Sequence, residues 1–260
     1  MNKKITLHLK NIILILYNIK KRGSRNFLLA FLYIRIIFTH YFLKYKYINI
    51  KKHPLYYSDI EQLTTPILEF SLGFYPSIMQ NELIIDCGAN IGMIPRLYHY
   101  EESFNFYYEG YEPDCDLFQI LIKNTSFLGK SYELAITNFD GEVDFYSETN
   151  MNKTGSSILT NNDNHILRKV KCSTLEGIIC EKEIGLLKID IEGAEYLLDW
   201  ENLDFSNVRS LYLEVHPNKN SFFGKIIDEL EVKMPIYIRS DFNLYLSKNK
   251  FYNIIVYGLR

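Results

Sequence analysis

The first 52 residues contain no aspartate or glutamate, yet they carry 12 of the 29 lysines and arginines. The remainder reverses the balance, with 17 basic against 31 acidic residues, so a basic segment precedes an acidic body. That asymmetry points to a membrane surface, an anionic substrate or an acidic partner. Cysteine is sparse. Cys87, Cys115, Cys172 and Cys180 form no Cys-x-x-Cys pair, which excludes a zinc ribbon or a disulfide scaffold and leaves reduced thiols.

Long uncharged apolar runs are also missing. Phe27 to Leu43 falls short of the roughly 20 residues that a spanning helix needs and has Arg35 at its middle, so no transmembrane helix is expected. Ile12 to Tyr17 is apolar behind a basic start, but no small-residue cleavage site follows, and a cytoplasmic location is the expectation. Across Ile12 to Tyr47, basic and aromatic residues alternate with aliphatic ones. Helices packed on the following domain, or on a second copy in a homo-oligomer, are the favoured reading. A helix lying on anionic lipid at the inner membrane face is the alternative.

Apolar residues make up 47% of the 260, ample for a core. The spacing divides the chain into a basic helical region, residues 1–52, and an α/β domain, residues 53–260. A short helix is expected around Thr65 to Phe70, with Pro66 in its first turn. Leu83 to Cys87 reads as a strand, followed by a glycine turn and a helix over Ile91 to Tyr100. Phe104 to Tyr111 is a second strand, after which Asp114 caps a helix with an apolar stripe at Leu117, Phe118, Leu121 and Ile122. Tyr132 to Thr137 is expected as the third strand, and Glu142 to Ser147 as an alternating strand beyond a turn. Lys171 to Leu175, Gly185 to Asp190 and Ser210 to Val215 supply further strands, with Ala194 to Trp200 as a crossover helix. Such alternation implies a mainly parallel sheet. Ile236 to Arg239, Leu244 to Ser247 and Ile254 to Tyr257 suggest antiparallel pairing at one edge.

In an open α/β sheet, ligands sit beyond the carboxyl ends of the strands. At the first such end stands Asp86-Cys87-Gly88-Ala89-Asn90-Ile91-Gly92. It lacks the Gly-x-Gly-x-x-Gly pattern that carries a pyrophosphate, which disfavours a dinucleotide. S-adenosylmethionine instead brings a positive sulfonium and a zwitterionic amino acid end. Asp86 suits that cation, and the loop backbone at Gly88, Ala89, Asn90 and Gly92 allows close approach. Glu112, at the end of the next strand, is held extended by Pro113 and suits two ribose hydroxyls. Asn138 and Asp140 follow the third strand, at a strand end that could meet the cofactor's adenine, though their own chemistry equally suits a turn.

Further along, Leu187-Lys188-Ile189-Asp190-Ile191-Glu192-Gly193-Ala194-Glu195 ends a buried strand in a dense set of acids, and Glu214-Val215-His216-Pro217 ends its neighbour. Period-two alternation puts Glu214 and His216 on one face, so that they converge with Asp190. Lys188 is a catalytic candidate or a salt-bridge partner of a nearby acid. The polar stretch Thr149 to His165, with Asn150, Asn152, Lys153, Thr154, Ser156 and Ser157, reads as a lid over the acceptor or as a surface loop.

Taken together, the glycine loop, Glu112-Pro113-Asp114, the Leu187 to Glu195 strand end and Glu214 to Pro217 resemble the FkbM-type family of class I S-adenosylmethionine-dependent methyltransferases. The resemblance covers about Leu83 to Pro217. It implies a Rossmann-like, seven-stranded, mainly parallel sheet with an antiparallel last strand, S-adenosyl-L-methionine as cofactor, and O-methylation of sugars or natural-product hydroxyls. The expected acceptor is a sugar or nucleotide sugar, a precursor or component of a bacterial surface polysaccharide. For deprotonation, His216 or Asp190 could act as general base. Alternatively Asp190, Glu214 and His216 could hold Mg²⁺, Mn²⁺ or Fe²⁺. A non-catalytic cofactor-binding scaffold and a methyltransferase of non-sugar small molecules are the rivals. Nucleic acid is not expected, because the basic residues interleave with aliphatic ones and no RNA-binding module is visible. N-methylation is disfavoured by the lack of an Asn-Pro-Pro-aromatic strand end.

Overall fold

A computed structural model describes residues 3–17, 24–44, 46–102, 104–149, 156–158, 165–216, 223–239 and 254–259. Two helices come first, α1 (Lys3–Tyr17) and α2 (Ser24–Phe38), the latter running into a π-turn at Thr39–Leu43. A hairpin of β1 (Tyr47–Ile50) and β2 (His53–Tyr56) follows, straddling the boundary expected near residue 53. Helix α3 (Glu61–Leu72) begins before the predicted stretch, so Pro66 lies inside it rather than in its first turn. The cost of an interior proline is a missing backbone donor.

The central unit is a seven-stranded sheet. In chain order its strands are β3 (Leu83–Cys87), β4 (Tyr107–Tyr111), β5 (Gly129–Tyr132), β9 (Ile184–Ile189), β10 (Ser210–Val215), β11 (Ile236–Arg239) and β12 (Ile254–Leu259). Their spatial order is β11-β12-β10-β9-β3-β4-β5. The five strands from β10 to β5 are parallel, and β12 inserts antiparallel between β10 and β11. The last strand is thus antiparallel, as the resemblance implied; Leu244 to Ser247 lies outside the described residues. Strands β3 and β9 are buried nearly throughout, because helices cover both faces.

Helices α4 (Met93–Glu101) and α5 (Cys115–Thr125) follow β3 and β4. Asp114 caps α5 as expected, accepting from the backbone N–H groups of Asp116 at 3.0 Å and Leu117 at 3.3 Å. On this side a continuous core joins α1 to α5, from Ile15, Leu29 and Tyr33 through Leu63 and Ile67 to Leu97 and Leu121. The other side packs α6 (Leu175–Ile179) and α7 (Phe223–Lys233) with Trp200, Phe205 and Leu213.

Three expectations need correction. The third sheet strand is Gly129–Tyr132, not Tyr132 to Thr137. It is a polar edge strand brought close by a glycine, since a Cβ on Gly129 would lie 2.0 Å from the Tyr108 carbonyl oxygen. The segments expected to extend the main sheet instead form a separate one, with β8 (His165–Thr174) parallel to β6 (Ala135–Thr137) and antiparallel to β7 (Gly141–Glu148). Finally, the crossover between β9 and β10 is a single 3₁₀ turn, Ala194–Leu197, rather than a helix to Trp200. Gly193, at φ 95°, and the bond from the Trp200 indole N–H to the Glu195 carbonyl, at 2.7 Å, break the helical path.

Candidate active site

Strand ends β3, β4, β9 and β10 meet at one rim of the sheet, and the loops beyond them enclose two adjoining cavities. Gly88, at the end of β3, has φ 77°, and a Cβ there would lie 1.7 Å from the Asp190 carbonyl oxygen. Only glycine fits, because the β9 backbone crosses directly over the loop. The crossing is pinned by the Asp190 N–H donating to the Cys87 carbonyl at 3.0 Å, while Gly88 and Ala89 donate to Tyr111.

The first cavity is an apolar slot between the β3, β4 and β9 ends and the small sheet. Pro113, Leu134, Ile136, Phe145 and Ile191 contribute its apolar walls, and Glu112 and Asn90 its polar groups. Glu112 is clamped. One oxygen accepts from the Asn90 N–H at 2.8 Å and the other from the Asp114 N–H at 2.9 Å, leaving further lone pairs toward the slot. Burial raises its carboxyl to about 7, and Asp114 adds to this, against the lowering effect of those two N–H groups and Lys188.

The second cavity, about 490 Å³, opens between α3 and the β9 and β10 ends. Its wall is acidic, with Glu61, Glu69, Glu148, Asp190, Glu192 and Glu214. Gly88, Asn90, Asp190 and Glu192 line both cavities. Asp190 lies between two cations. Its Oδ2 is 3.2 Å from Lys188 Nζ and its Oδ1 is 3.8 Å from His216 Nε2.

His216 sits in a ring of carboxylates. Its Nδ1 is 3.1 Å from the buried Glu195, while its Nε2 is 3.3 Å from Glu192 and 4.0 Å from Glu214. Burial alone would disfavour the imidazolium, but Glu192, Glu195 and Glu214 outweigh it and hold the ring well above its ordinary range. Burial, with Asp190, Glu214 and Glu195 nearby, pushes the Glu192 carboxyl up to about 8 in spite of His216. Asp190, Glu192 and His216 each offer a ligand atom within 4.8 Å of the others, so Glu192 takes the place expected of Glu214 in the candidate metal set at this rim.

Several expected positions differ. Asp86 does not face either cavity. It is fully buried, with Lys188 Nζ at 3.1 Å and the Tyr108 hydroxyl at 3.4 Å. Lys188 also donates to the Gly88 carbonyl at 3.0 Å. Burial would lower the Lys188 ammonium, but Asp190 and Asp86 raise it overall, so Lys188 is a fixed cation and not a proton acceptor. Gly92 faces α5 rather than a ligand, since a Cβ there would lie 2.5 Å from Thr125 Cγ2. Asn138 lies on a separate small pocket with Thr137 and Thr174, and Asp140 ties the turn to β8 by accepting from Ser173 and Thr174. Ala89 lines the second cavity, and Pro113 the first.

Of the expected lid, Asn150, Asn152, Lys153 and Thr154 lie outside the described residues. Ser156 lines the first cavity, and the Ser157 hydroxyl donates to the Glu192 carbonyl at 2.6 Å. Two groups escaped the sequence. Glu69, on α3, accepts from the Tyr75 hydroxyl at 2.9 Å, and burial, then the charge of Glu214, holds its carboxyl well above the usual range. Tyr75 in turn stacks on Tyr212, with centroids 4.4 Å apart. Neither belongs to a strand-end motif, so no sequence signal marked them.

Among solved structures, an FkbM methyltransferase from Methylobacillus flagellatus is 14% identical with a TM-score of 0.46, over 68% of this chain and 43% of its own. The N-terminal domain of human METTL16 is 12% identical with a TM-score of 0.43, over 90% of this chain and 81% of its own. A methyltransferase from Pyrococcus furiosus is 10% identical with a TM-score of 0.42, over 92% and 98%. No curated protein matches the sequence. The sequence profile of the methyltransferase FkbM domain matches residues 86–241, from the buried carboxylate of β3 past the far sheet edge. The chain therefore belongs to the FkbM family of methyltransferases, for which S-adenosylmethionine is the typical cofactor.

Proposed function

We propose that the protein moves a methyl group from S-adenosyl-L-methionine to a hydroxyl of a sugar, with the donor in the apolar slot and the acceptor in the acidic cavity. The observation that carries this reading is the shared wall, Gly88, Asn90, Asp190 and Glu192, across which the two molecules would meet. Methyl transfer is an in-line displacement, and holding both partners at such a junction supplies much of the rate. Glu112 accepts the ribose hydroxyls, and the apolar side chains of the slot flank the adenine.

An acceptor hydroxyl must also lose its proton. Asp190 is the group best disposed to take it, because Lys188 anchors one carboxylate oxygen while the other stays on the cavity side. Without a metal, the surrounding carboxylates hold His216 as a cation that orients them, and a divalent ion would take the place of that proton on the ring. Carboxylates accept hydrogen bonds from hydroxyls, which favours a neutral polyol. Among the described lining residues Lys188 alone is a lysine or arginine, and it is committed to Asp86 and Asp190. A diphosphate-linked sugar would therefore need a cation to offset the wall. Asp190, Glu192 and His216 fit a divalent one: hard oxygen donors, an imidazole oriented through Nδ1 by Glu195, and an excess of buried negative charge. Such a cation would acidify the acceptor hydroxyl. A precursor or component of a bacterial surface polysaccharide is the acceptor class the family resemblance suggests.

The test is transfer of labelled methyl to free, lipid-linked and nucleotide-linked sugars, in chelator and then with Mg²⁺ or Mn²⁺ restored. Label should appear on a sugar oxygen, and Asp190→Asn should lower kcat by about 10²–10⁴-fold at saturating cofactor. Label on no sugar, or an unaltered rate in Asp190→Asn, would overturn the reading.

A further inference from the structure

Helices α1 and α2 are apolar on two faces. Their inner faces are consumed by the core through Ile15, Leu29, Leu32, Tyr33 and Ile36. Their outer faces keep a row of apolar side chains exposed among the described residues. On α2 and its π-turn, Phe27, Phe31, Ile34, Phe38 and Phe42 recur at helical spacing, and all are exposed, Phe27 by 61% and Phe42 by 72%. Ile13 on α1 is 66% exposed. Of 24 large apolar side chains exposed among the described residues, 12 fall between Leu7 and Leu43. A soluble monomer rarely presents apolar surface concentrated in this way.

The charge of the same segment identifies the occupant. Exposed Lys10, Arg35, Lys44 and Lys46 accompany the stripe, and residues 1–52 hold no acid at all. A second copy of the chain would set one basic face against another. RNA would match the charge but leave the aromatic and aliphatic side chains unused. An anionic lipid surface satisfies both, since phenylalanines enter the acyl boundary while lysines and arginines meet headgroups.

Residues Asn26–Leu43 are long and apolar enough to cross a membrane by length and composition, but 39% of that stretch is buried inside the fold. Asn26 donates to the Ser71 carbonyl at 3.1 Å, and the Tyr33 hydroxyl bonds His8 at 3.0 Å and Asn11 at 2.9 Å. Spanning would break these contacts and uncover the core. We propose that α1 and α2 form a monotopic docking face for anionic bilayers, lying in the interface without crossing it. Helix α3, which supplies one wall of the acidic cavity, packs directly beneath them.

The test uses the full chain with vesicles of phosphatidylcholine alone and of phosphatidylcholine mixed with phosphatidylglycerol at about three to one. Co-sedimentation should favour the anionic vesicles and weaken with salt. A Phe27→Ser, Phe31→Ser, Phe38→Ser variant should cut the bound fraction about tenfold or more. Arg35→Glu with Lys44→Glu should abolish the preference for phosphatidylglycerol, and both variants should keep the wild-type far-ultraviolet circular dichroism. The proposal is overturned if wild type ignores both vesicles, if it binds RNA rather than lipid, or if it forms a dimer through this face that the serine variant dissociates while lipid binding is absent.

Discussion

Lys188 is buried with carboxylates on two sides, Asp86 at 3.1 Å and Asp190 at 3.2 Å. Removing one member of such a cluster strands the others in low dielectric. Lys188→Met should therefore cost about 3–5 kcal/mol in urea unfolding, whereas Lys188→Met combined with Asp86→Leu should recover part of the loss. Glu112 gives a pH dependence. Its folded carboxyl is raised to about 7 from an ordinary 4.5, so the neutral form is favoured by the fold. That contribution to stability is complete below the unfolded value and lost as pH rises through the folded one. Cofactor affinity should run the other way, since the ionised carboxylate is the stronger acceptor for ribose hydroxyls. Calorimetry should show binding tightening between about pH 6 and 8, and Glu112→Gln should flatten the curve. At this scale the sequence was informative where a residue ends a parallel strand: the placement of Glu112, Asp190 and His216 along the cavities was legible, whatever their roles. Asp86 was misread because strand order alone does not reveal that Lys188 of β9 lies opposite it in register. Glu69 was invisible because it reaches the cavity from a helix.

Arg96 of α4 shows how elements are joined. Its guanidinium is fully buried and donates to the carbonyls of Ile50, His53, Pro54 and Asn124, thereby tying the β1–β2 hairpin and the end of α5 to the sheet domain. Phe127 lies over it at 5.0 Å. Burial without a carboxylate partner lowers it to about 10, still a cation at neutral pH. Arg96→Met should leave four carbonyls without their donor and cost about 3 kcal/mol or more, with hydrogen exchange rising first in residues 47–56. Nothing in the local sequence distinguished this arginine from a surface one. The parallel strands were legible through their apolar runs, but β5 was not, because an edge strand half in solvent need not be apolar. The small sheet of β6, β7 and β8 was likewise folded mistakenly into the large one, since alternation reveals a strand and not its partner.

At the scale of the whole molecule, the basic segment belongs to the body it precedes. Ile15, Leu29 and Tyr33 share one core with Leu63, Ile67 and Leu97. Removing residues 1–43 should therefore yield aggregated protein or a markedly lower Tm in thermal scanning, rather than a trimmed but intact enzyme. Charge is distributed just as purposefully. Carboxylates crowd the place where the two cavities adjoin, and in the proposed arrangement a sulfonium there would be attracted as a positive ion. Once its methyl had gone, the sulfur would be an uncharged thioether and that attraction would lapse. The surroundings that recruit the charged donor would then hold the spent product less tightly, which favours its departure.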